Sequence, residues 1–187
     1  GYPIFGDHCY LAANPETAIV IAIGSGHIRQ TVVEKIERIV VNPNFPTLIH
    51  PTAMVSRLAK LGKGNQICAQ SIIQPRAIIG DHVIINIACS ISHDCTIGEF
   101  TTLAPGARLA GGVSIGNRTD IGIGAVVIPK VIIGSDCVVG AGAVMVRDIP
   151  DSAPCTSAVK SPQRIFDAAR ASLVSVTEKR SGCQPRV

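Results

Sequence analysis

The sequence predicts a mainly β fold in which three short strands form each turn of a parallel coil. Two periods in the sequence predict this fold. Every sixth residue is aliphatic or Met over seventeen repeats: Ile49, Val55, Leu61, Ile67, Ile73, Ile79, Ile85, Ile91, Ile97, Leu103, Leu109, Ile115, Ile121, Val127, Ile133, Val139 and Met145. An apolar residue followed by glycine recurs every 18 residues: Leu61-Gly62, Ile79-Gly80, Ile97-Gly98, Ile115-Gly116 and Ile133-Gly134. Three repeats of six therefore make one turn of a triangular prism, with the aliphatic residues inside it.

Residue size within the repeat supports the same prism. The residue four positions after each aliphatic one is usually small: Ala53, Ala59, Ser71, Ala77, Cys89, Cys95, Thr101, Ala107, Thr119, Ala125, Cys137 and Ala143. We expect these residues near the corners, where the recurring glycines would supply unusual backbone angles. Nearly six turns at a strand spacing of about 4.8 Å give a prism roughly 27 Å tall. We assign it to residues 47–150.

Residues 1–46 predict a partial α/β segment before the prism. Ala18 to Ile23 form a buried strand in this prediction, Gly24-Ser25-Gly26 a turn, and Ile28 to Ile39 a helix. A strand, a glycine turn and a helix can cradle a phosphate or nucleotide, although a purely structural turn explains the pattern equally well. A full nucleotide-binding unit would have another strand and helix before this one, so we expect half of it to be absent.

Residues 151–187 predict a loop, a helix and a mobile tail. Ser161-Pro162 has the pattern of a helix start, and the helix would run to about Val176. Its apolar residues share one face that could cover the open end of the prism: Ile165, Phe166, Ala169, Leu173 and Val176.

Composition excludes several classes of function. The net charge of +4 suits anionic small molecules, but the basic residues are scattered without interleaved aromatics, which argues against nucleic-acid binding. No apolar run of about 18 residues and no signal peptide is present, so we expect a cytoplasmic protein without membrane insertion. The seven cysteines lack CxxC spacing, which favours reduced, buried thiols over a metal or redox site.

The segment "SISHDC" places an imidazole beside a carboxylate, at His93 and Asp94. One turn before His93 is Pro75 and one turn after it is Gly111, so glycine would leave a slot and a bare N–H beside the imidazole. Acyl transfer needs a base, access for a narrow thioester and a donor to the oxyanion. Asp94 could hold the imidazole in one tautomer, or it could simply pair with Arg76, which lies one turn before it.

The segment "NIACSISHDCTIGEFTTLAPGARLAGGVSIG", from Asn86 to Gly116, resembles the hexapeptide-repeat acyltransferases. The branch is that of the sialic-acid O-acetyltransferases and the nucleotide-amino-sugar N-acetyltransferases. "AIVIAIG", "FPTLIHPTAMVS" and "IGIGAVVIPKVIIGSDCVVGAGAVMVRDIP" carry the same resemblance. It implies a left-handed parallel β-helix, a homotrimer with sites between subunits, and acetyl transfer from acetyl-CoA to a sugar. His93 would be the general base, with Asp94 raising its basicity.

The resemblance also implies the ligand-binding residues. The positions matching acetyl-CoA contacts in the family are Asn86, Thr102, Gly111, Ile123 and Ala141, and Gly24 matches a contact to the sugar acceptor. Thr102 stands where many relatives have a second histidine, and "KSPQ" at 160–163 replaces their turn after the prism. The glycine-rich loop that opens the family's acceptor-binding segment is not in this sequence. These departures place the strength of acetyl-CoA and acceptor binding in question.

Two other functions compete with acetyl transfer. A zinc hydratase on a similar prism would need histidines in HxxxxH spacing, but His82 and His93 are eleven residues apart and no HxxxxH occurs. A non-catalytic trimeric scaffold that lost its acceptor domain would explain why Thr102 stands where many relatives have a second histidine. We interpret His50 as structural and His82 as an exposed corner residue, whereas His27, after the glycine turn, could contact a ligand. The acceptor, and the choice between N- and O-acetylation, stay open.

Overall fold

The computed structural model describes residues 9–155. The helix predicted from Ser161 to Val176, the tail and the "KSPQ" segment lie outside the described residues. Residues 9–155 contain two helices and eighteen two-residue strands: α1 (Cys9–Ala13), α2 (Gly26–Ile39), β1 (Leu48–Ile49), β2 (Met54–Val55), β3 (Lys60–Leu61), β4 (Gln66–Ile67), β5 (Ile72–Ile73), β6 (Ile78–Ile79), β7 (Ile84–Ile85), β8 (Ser90–Ile91), β9 (Thr96–Ile97), β10 (Thr102–Leu103), β11 (Arg108–Leu109), β12 (Ser114–Ile115), β13 (Asp120–Ile121), β14 (Val126–Val127), β15 (Ile132–Ile133), β16 (Val138–Val139), β17 (Val144–Met145) and β18 (Pro154–Cys155).

The strands form a left-handed parallel β-helix with three sheets, as predicted. The first sheet orders its strands β1-β4-β7-β10-β13-β16-β18, the second β2-β5-β8-β11-β14-β17, and the third β3-β6-β9-β12-β15. From β1 to β17 each strand residue pairs with the residue 18 positions later, as Ile85 does with Leu103. The spacing falls to 16 at β18, which pairs with β16 and forms a strand at the start of the segment predicted as a loop. Below, the first, second and third corners are the turns that follow strands of the first, second and third sheets.

The recurring aliphatic residues fill the prism. From Ile67 to Met145 every one of them is at most 4% exposed. Small residues such as Ala77, Cys95 and Ala125 are completely buried beside them. Ile49 is 46% exposed because it belongs to the first turn and has a neighbouring turn on one side only. The hydrophobic core is therefore a column of aliphatic layers, one per strand.

The recurring glycines do not supply unusual backbone angles, so that prediction was wrong. The left-handed conformation falls three residues after the aliphatic position, whichever residue is there: Gly64, Gln70, Arg76, His82, Ala88, Asp94, Phe100, Gly106, Gly112, Arg118, Gly124, Lys130, Asp136 and Gly142. Gly98 is required for space, because a Cβ there would lie 2.6 Å from the backbone nitrogen of Asn117. These glycines let successive turns approach closely at the third corner.

The N-terminal segment packs on the prism, but the buried strand predicted there does not form, and only Ile21 of residues 18–23 is buried. The helix is confirmed and begins at Gly26, two residues earlier than expected. The predicted strand at 18–23 makes a single bridge, between Ala18 and Asn44. It has no strand partner within residues 9–155, and the Ile21 carbonyl instead accepts a hydrogen bond from the Gln66 side chain at 2.8 Å. No helix in this described range is both long and apolar enough to cross a membrane.

Candidate functional site

His93 and Asp94 form the tip of a turn on the second corner, between β8 and β9. Asp94 has the left-handed conformation, with φ of 61°. This brings its carboxylate back toward the preceding residue, and Oδ2 lies 2.7 Å from His93 Nδ1. An ionised carboxylate can only accept, so this contact favours the tautomer with the proton on Nδ1 and leaves Nε2 as an acceptor. His93 is 56% exposed, so this acceptor is open to a ligand.

Arg76 pairs with Asp94 from the turn below. Its Nε donates to Oδ1 at 2.5 Å and its Nη2 to Oδ2 at 2.8 Å. Asp94 thus binds both Arg76 and the His93 imidazole, so the two alternatives left by the sequence occur together. The Arg76 hydrogen bonds, and then the one from His93, hold the pKa of the Asp94 carboxyl well below its usual range. Asp94 is therefore ionised throughout the physiological pH range.

Gly111 lies directly against the imidazole, as the 18-residue spacing predicts. A Cβ at Gly111 would lie 2.7 Å from both Cε1 and Nε2 of His93. The Gly111 carbonyl accepts a hydrogen bond from Lys130 N–H, whereas its own N–H has no acceptor within residues 9–155. Glycine thus provides the room for the ring and an unpaired backbone donor close to it.

The cofactor residues implied by the resemblance lie on two different corners. Asn86, Ile123 and Ala141 are on the first corner, whereas Gly111 shares the second corner with His93. Ile123 is 61% exposed. Asn86 Oδ1 accepts a hydrogen bond from the Ile87 N–H, and the Asn86 amide nitrogen is unpaired within the described range. Because the corners follow separate edges of the prism, one chain does not bring these two groups together.

Thr102 and Gly24, predicted to contact different ligands, lie in contact. The Thr102 hydroxyl donates to the Gly24 carbonyl at 2.9 Å. Both also bind Arg29, whose Nη1 donates to Gly24 and Nη2 to Thr102. Thr102 therefore fixes the glycine turn to the first sheet, and Gly24 itself is exposed at that junction.

Arg29 is the residue that sequence reasoning missed. It is fully buried and donates further hydrogen bonds to the carbonyls of Ile23, His82, Phe100 and Thr101. Burial lowers its pKa to about 10, and the nearby Asp120 opposes this shift. Its position gave a signal, because Arg29 stands at helical spacing from the buried apolar residues of α2.

Among the other described histidines, one lies in an environment different from the expected one. His82 is buried, not exposed, because it stacks on Phe100 at 5.2 Å and meets Phe45 edge to face at 4.8 Å. His50 is exposed and its Nδ1 lies 3.0 Å from the Thr52 hydroxyl. His27 lies 3.3 Å from Asp136. Across residues 9–155, no three or more His, Cys, Asp or Glu side chains are grouped so as to hold a metal ion.

Known proteins share both the sequence pattern and the fold. The family model "Bacterial transferase hexapeptide (six repeats)" matches residues 76–111. GDP-perosamine N-acetyltransferase of Escherichia coli O157:H7 is 34% identical over 112 residues, which are 59% of this chain and 50% of the relative. The chain thus spans about half the length of this curated relative.

Solved structures extend the similarity. PerB from Caulobacter crescentus, in complex with CoA and GDP-perosamine, is 41% identical, with a TM-score of 0.74 over 78% of this chain and 69% of that chain. The acetyltransferase domain of PglB from Neisseria gonorrhoeae, in complex with acetyl coenzyme A, is 36% identical, with a TM-score of 0.75 over 81% and 74% of the chains. The chain belongs to the hexapeptide-repeat transferase family, in the branch that includes these acetyltransferases.

Proposed function

We propose that this protein transfers the acetyl group of acetyl-CoA to the amine of a nucleotide-linked amino sugar, with His93 as the general base. The observation that carries the proposal is the free Nε2 of His93, with Nδ1 held by Asp94 and Gly111 beside the ring. The relatives support the substrate class, since PerB was solved with CoA and GDP-perosamine. The net positive charge suits two anionic substrates.

In the proposed mechanism, the sugar amine attacks the thioester carbonyl carbon while Nε2 of His93 takes a proton from the amine. The C–N bond forms as the carbonyl becomes a tetrahedral oxyanion, and in this proposal the unpaired Gly111 N–H donates to it. The C–S bond then breaks. The CoA thiolate leaves and regains a proton from the His93 imidazolium, which restores the base. Asp94 stabilises the imidazolium and keeps its orientation.

The division of the site between two corners supports a homotrimer. The base and Gly111 lie on the second corner, whereas Asn86, Ile123 and Ala141 lie on the first. Both edges expose apolar side chains, with Leu58 65% exposed on the second corner and Ile123 61% exposed on the first. Adjacent prisms in a trimer would set the first corner of one chain against the second corner of the next. Acetyl-CoA would then bind in the groove between them.

Gly24 supplies the proposed acceptor contact. It is exposed, and a Cβ there would meet no other atom within 4 Å, so the turn leaves room for a ligand. Thr102 binds the Gly24 carbonyl, which gives it a role in supporting the acceptor turn as well as the cofactor role implied by its position.

The first test is calorimetric titration of the purified protein with acetyl-CoA, followed by an assay with GDP- and UDP-linked 4-amino sugars. Saturable binding and CoA release with an amino sugar would support the proposal. His93→Ala should abolish turnover while acetyl-CoA affinity and oligomeric state stay unchanged. Turnover close to that of the wild type in His93→Ala would refute the role of His93. Absence of acetyl-CoA binding would favour the scaffold function instead.

A further inference from the structure

We propose that Arg76 is a positioning residue that orients His93 through Asp94. The inference deepens the proposed function and rests on it, because it assumes that His93 is the base. Arg76 precedes Asp94 by one 18-residue turn, and both have the left-handed corner conformation, with φ of 62° and 61°. The two side chains therefore extend from stacked, equivalent backbone positions, and their pairing follows from the geometry of the coil.

The contact has the two-bond geometry that fixes a carboxylate. Arg76 Nε and Nη2 bind separate oxygens of Asp94, and the planar guanidinium holds the carboxylate in one plane. Oδ2, which binds Nη2, is also the oxygen that receives His93 Nδ1. At an exposed corner an unpaired aspartate would rotate freely. Arg76 restricts this rotation and keeps Oδ2 directed at the imidazole.

The charge of Arg76 has a second consequence. It compensates the negative charge of Asp94, so the imidazolium is stabilised less than it would be by an unpaired carboxylate. A general base must release its proton in the second half of the reaction, here to the CoA thiolate. Arg76 thus limits how strongly the pair retains that proton, while the hydrogen bond from Nδ1 is preserved.

No other charged side chain in the described part of the chain pairs with His93 or Asp94. The remaining groups against the pair are uncharged: Pro75, whose carbonyl binds the Asp94 N–H, Gly111, the buried Cys95 thiol, and the Ser92 hydroxyl bonded to Gln74. The next charged residues on this corner are Arg57 and Lys130, whose backbones are each two turns away, or about 10 Å, and neither forms an ion pair with Asp94. Screening by salt weakens exposed charges at that distance, which leaves Arg76 as the dominant one.

The chain contains a second arginine–aspartate pair in the same register, at a corner where the neighbouring imidazole is that of His27, 3.3 Å from Asp136, and not the proposed base. Arg118 and Asp136 are also one turn apart, on the third corner, and their Nε–Oδ1 and Nη2–Oδ2 distances are both 2.7 Å. An arginine–aspartate pair in this register thus stabilises a corner by itself. Arg118→Gln therefore measures the structural cost of losing such a pair away from His93, together with a 3.5 Å contact to Gln30, so it sets an upper limit for the structural cost of losing Arg76.

The test compares Arg76→Gln, Arg76→Lys and Arg118→Gln in the acetyl-transfer assay from pH 5 to 9. Arg76→Gln should lower kcat on the order of tenfold with little change in KM for acetyl-CoA, because the base is misoriented while the binding groove is intact. The acidic limb of the rate profile should move to higher pH, since a positive charge near the base is lost. Arg76→Lys should restore the limb but not kcat, because lysine keeps the charge and loses the planar fork. Arg118→Gln should match the wild type in both.

The imidazole nitrogens give a readout that does not depend on turnover. We expect ¹⁵N spectra at pH 9 to show the Nδ1–H tautomer of His93 in the wild type and Arg118→Gln, and a mixture of tautomers in Arg76→Gln. The inference is refuted if Arg76→Gln loses only as much thermal stability as Arg118→Gln and leaves three properties unchanged. These are kcat, the acidic limb of the pH–rate profile and the tautomer of His93. Full activity in His93→Ala would instead refute the proposed function, and the tautomer spectra would still decide whether Arg76 orients His93.

Discussion

Gly111→Ala tests the packing of the base most directly. The added Cβ would lie 2.7 Å from Nε2 and Cε1 of His93, whereas ordinary contacts begin near 3.4 Å, so the ring must move by about 0.7 Å. The backbone tolerates a side chain at this turn position, because it holds Pro75 two turns before Gly111, His93 one turn before and Pro129 one turn after. The half-exposed ring can move toward solvent, so we expect little loss of stability. A displacement of this size in a base costs on the order of a hundredfold in kcat.

The assay is initial-rate CoA release with saturating acetyl-CoA, with thermal unfolding measured in parallel. The control is the double variant, in which Gly111→Ala is added to His93→Ala. There the glycine change should have no further effect on the residual rate, because no ring remains to be displaced. If Gly111→Ala alone keeps kcat within threefold of the wild type, the idea that glycine is needed to seat the imidazole is wrong.

Three further predictions concern stability. Arg29→Met should lower the free energy of unfolding by on the order of 3 kcal/mol in urea titrations, since buried carbonyls lose their donor; a loss below 1 kcal/mol would contradict this. Burial lowers the pKa of His82, so the unfolded state binds more protons below about pH 6.5. The melting temperature should therefore fall between pH 7 and 5, with a smaller fall in His82→Phe; equal slopes would exclude His82 as the cause. Gly98→Ala should cost about 2–3 kcal/mol, because its Cβ meets the next turn at 2.6 Å, whereas Gly24→Ala, in open space, should unfold like the wild type.

The prism was predictable from sequence because each turn repeats the same environment. A six-residue period fixes which side chains point inward, and an 18-residue period fixes which residues stack, so the contact of Gly111 with His93 follows from counting alone. The role of the glycines was misjudged for a related reason. The sequence shows where glycine recurs, but the left-handed position accepts residues as different as Phe100 and Asp136 as well as glycine, and therefore leaves only a weak compositional trace.

The N-terminal junction was less predictable because its contacts are distant in sequence and follow no period. Arg29 binds Thr102 from 73 positions away. His82 occupies a corner position that the repeat alone would leave exposed, and it is buried because Phe45 and Phe100 enclose it. The contacts of Arg29 and the burial of His82 both arise where the non-repeating N-terminal segment packs on the prism.

The left-handed corners have a consequence for how the protein can change. Nine corner residues that are not glycine hold positive φ three positions after an aliphatic layer: Gln70, Arg76, His82, Ala88, Asp94, Phe100, Arg118, Lys130 and Asp136. Each costs roughly 1 kcal/mol relative to glycine, so replacing such a residue with glycine would relieve backbone strain in the folded protein. Replacing Ala88 with glycine should therefore raise the free energy of unfolding. The same substitution at Arg76 or Asp94 would remove the side chain for which the strain is tolerated. Corner positions can therefore be sorted into those open to stabilisation and those committed to chemistry.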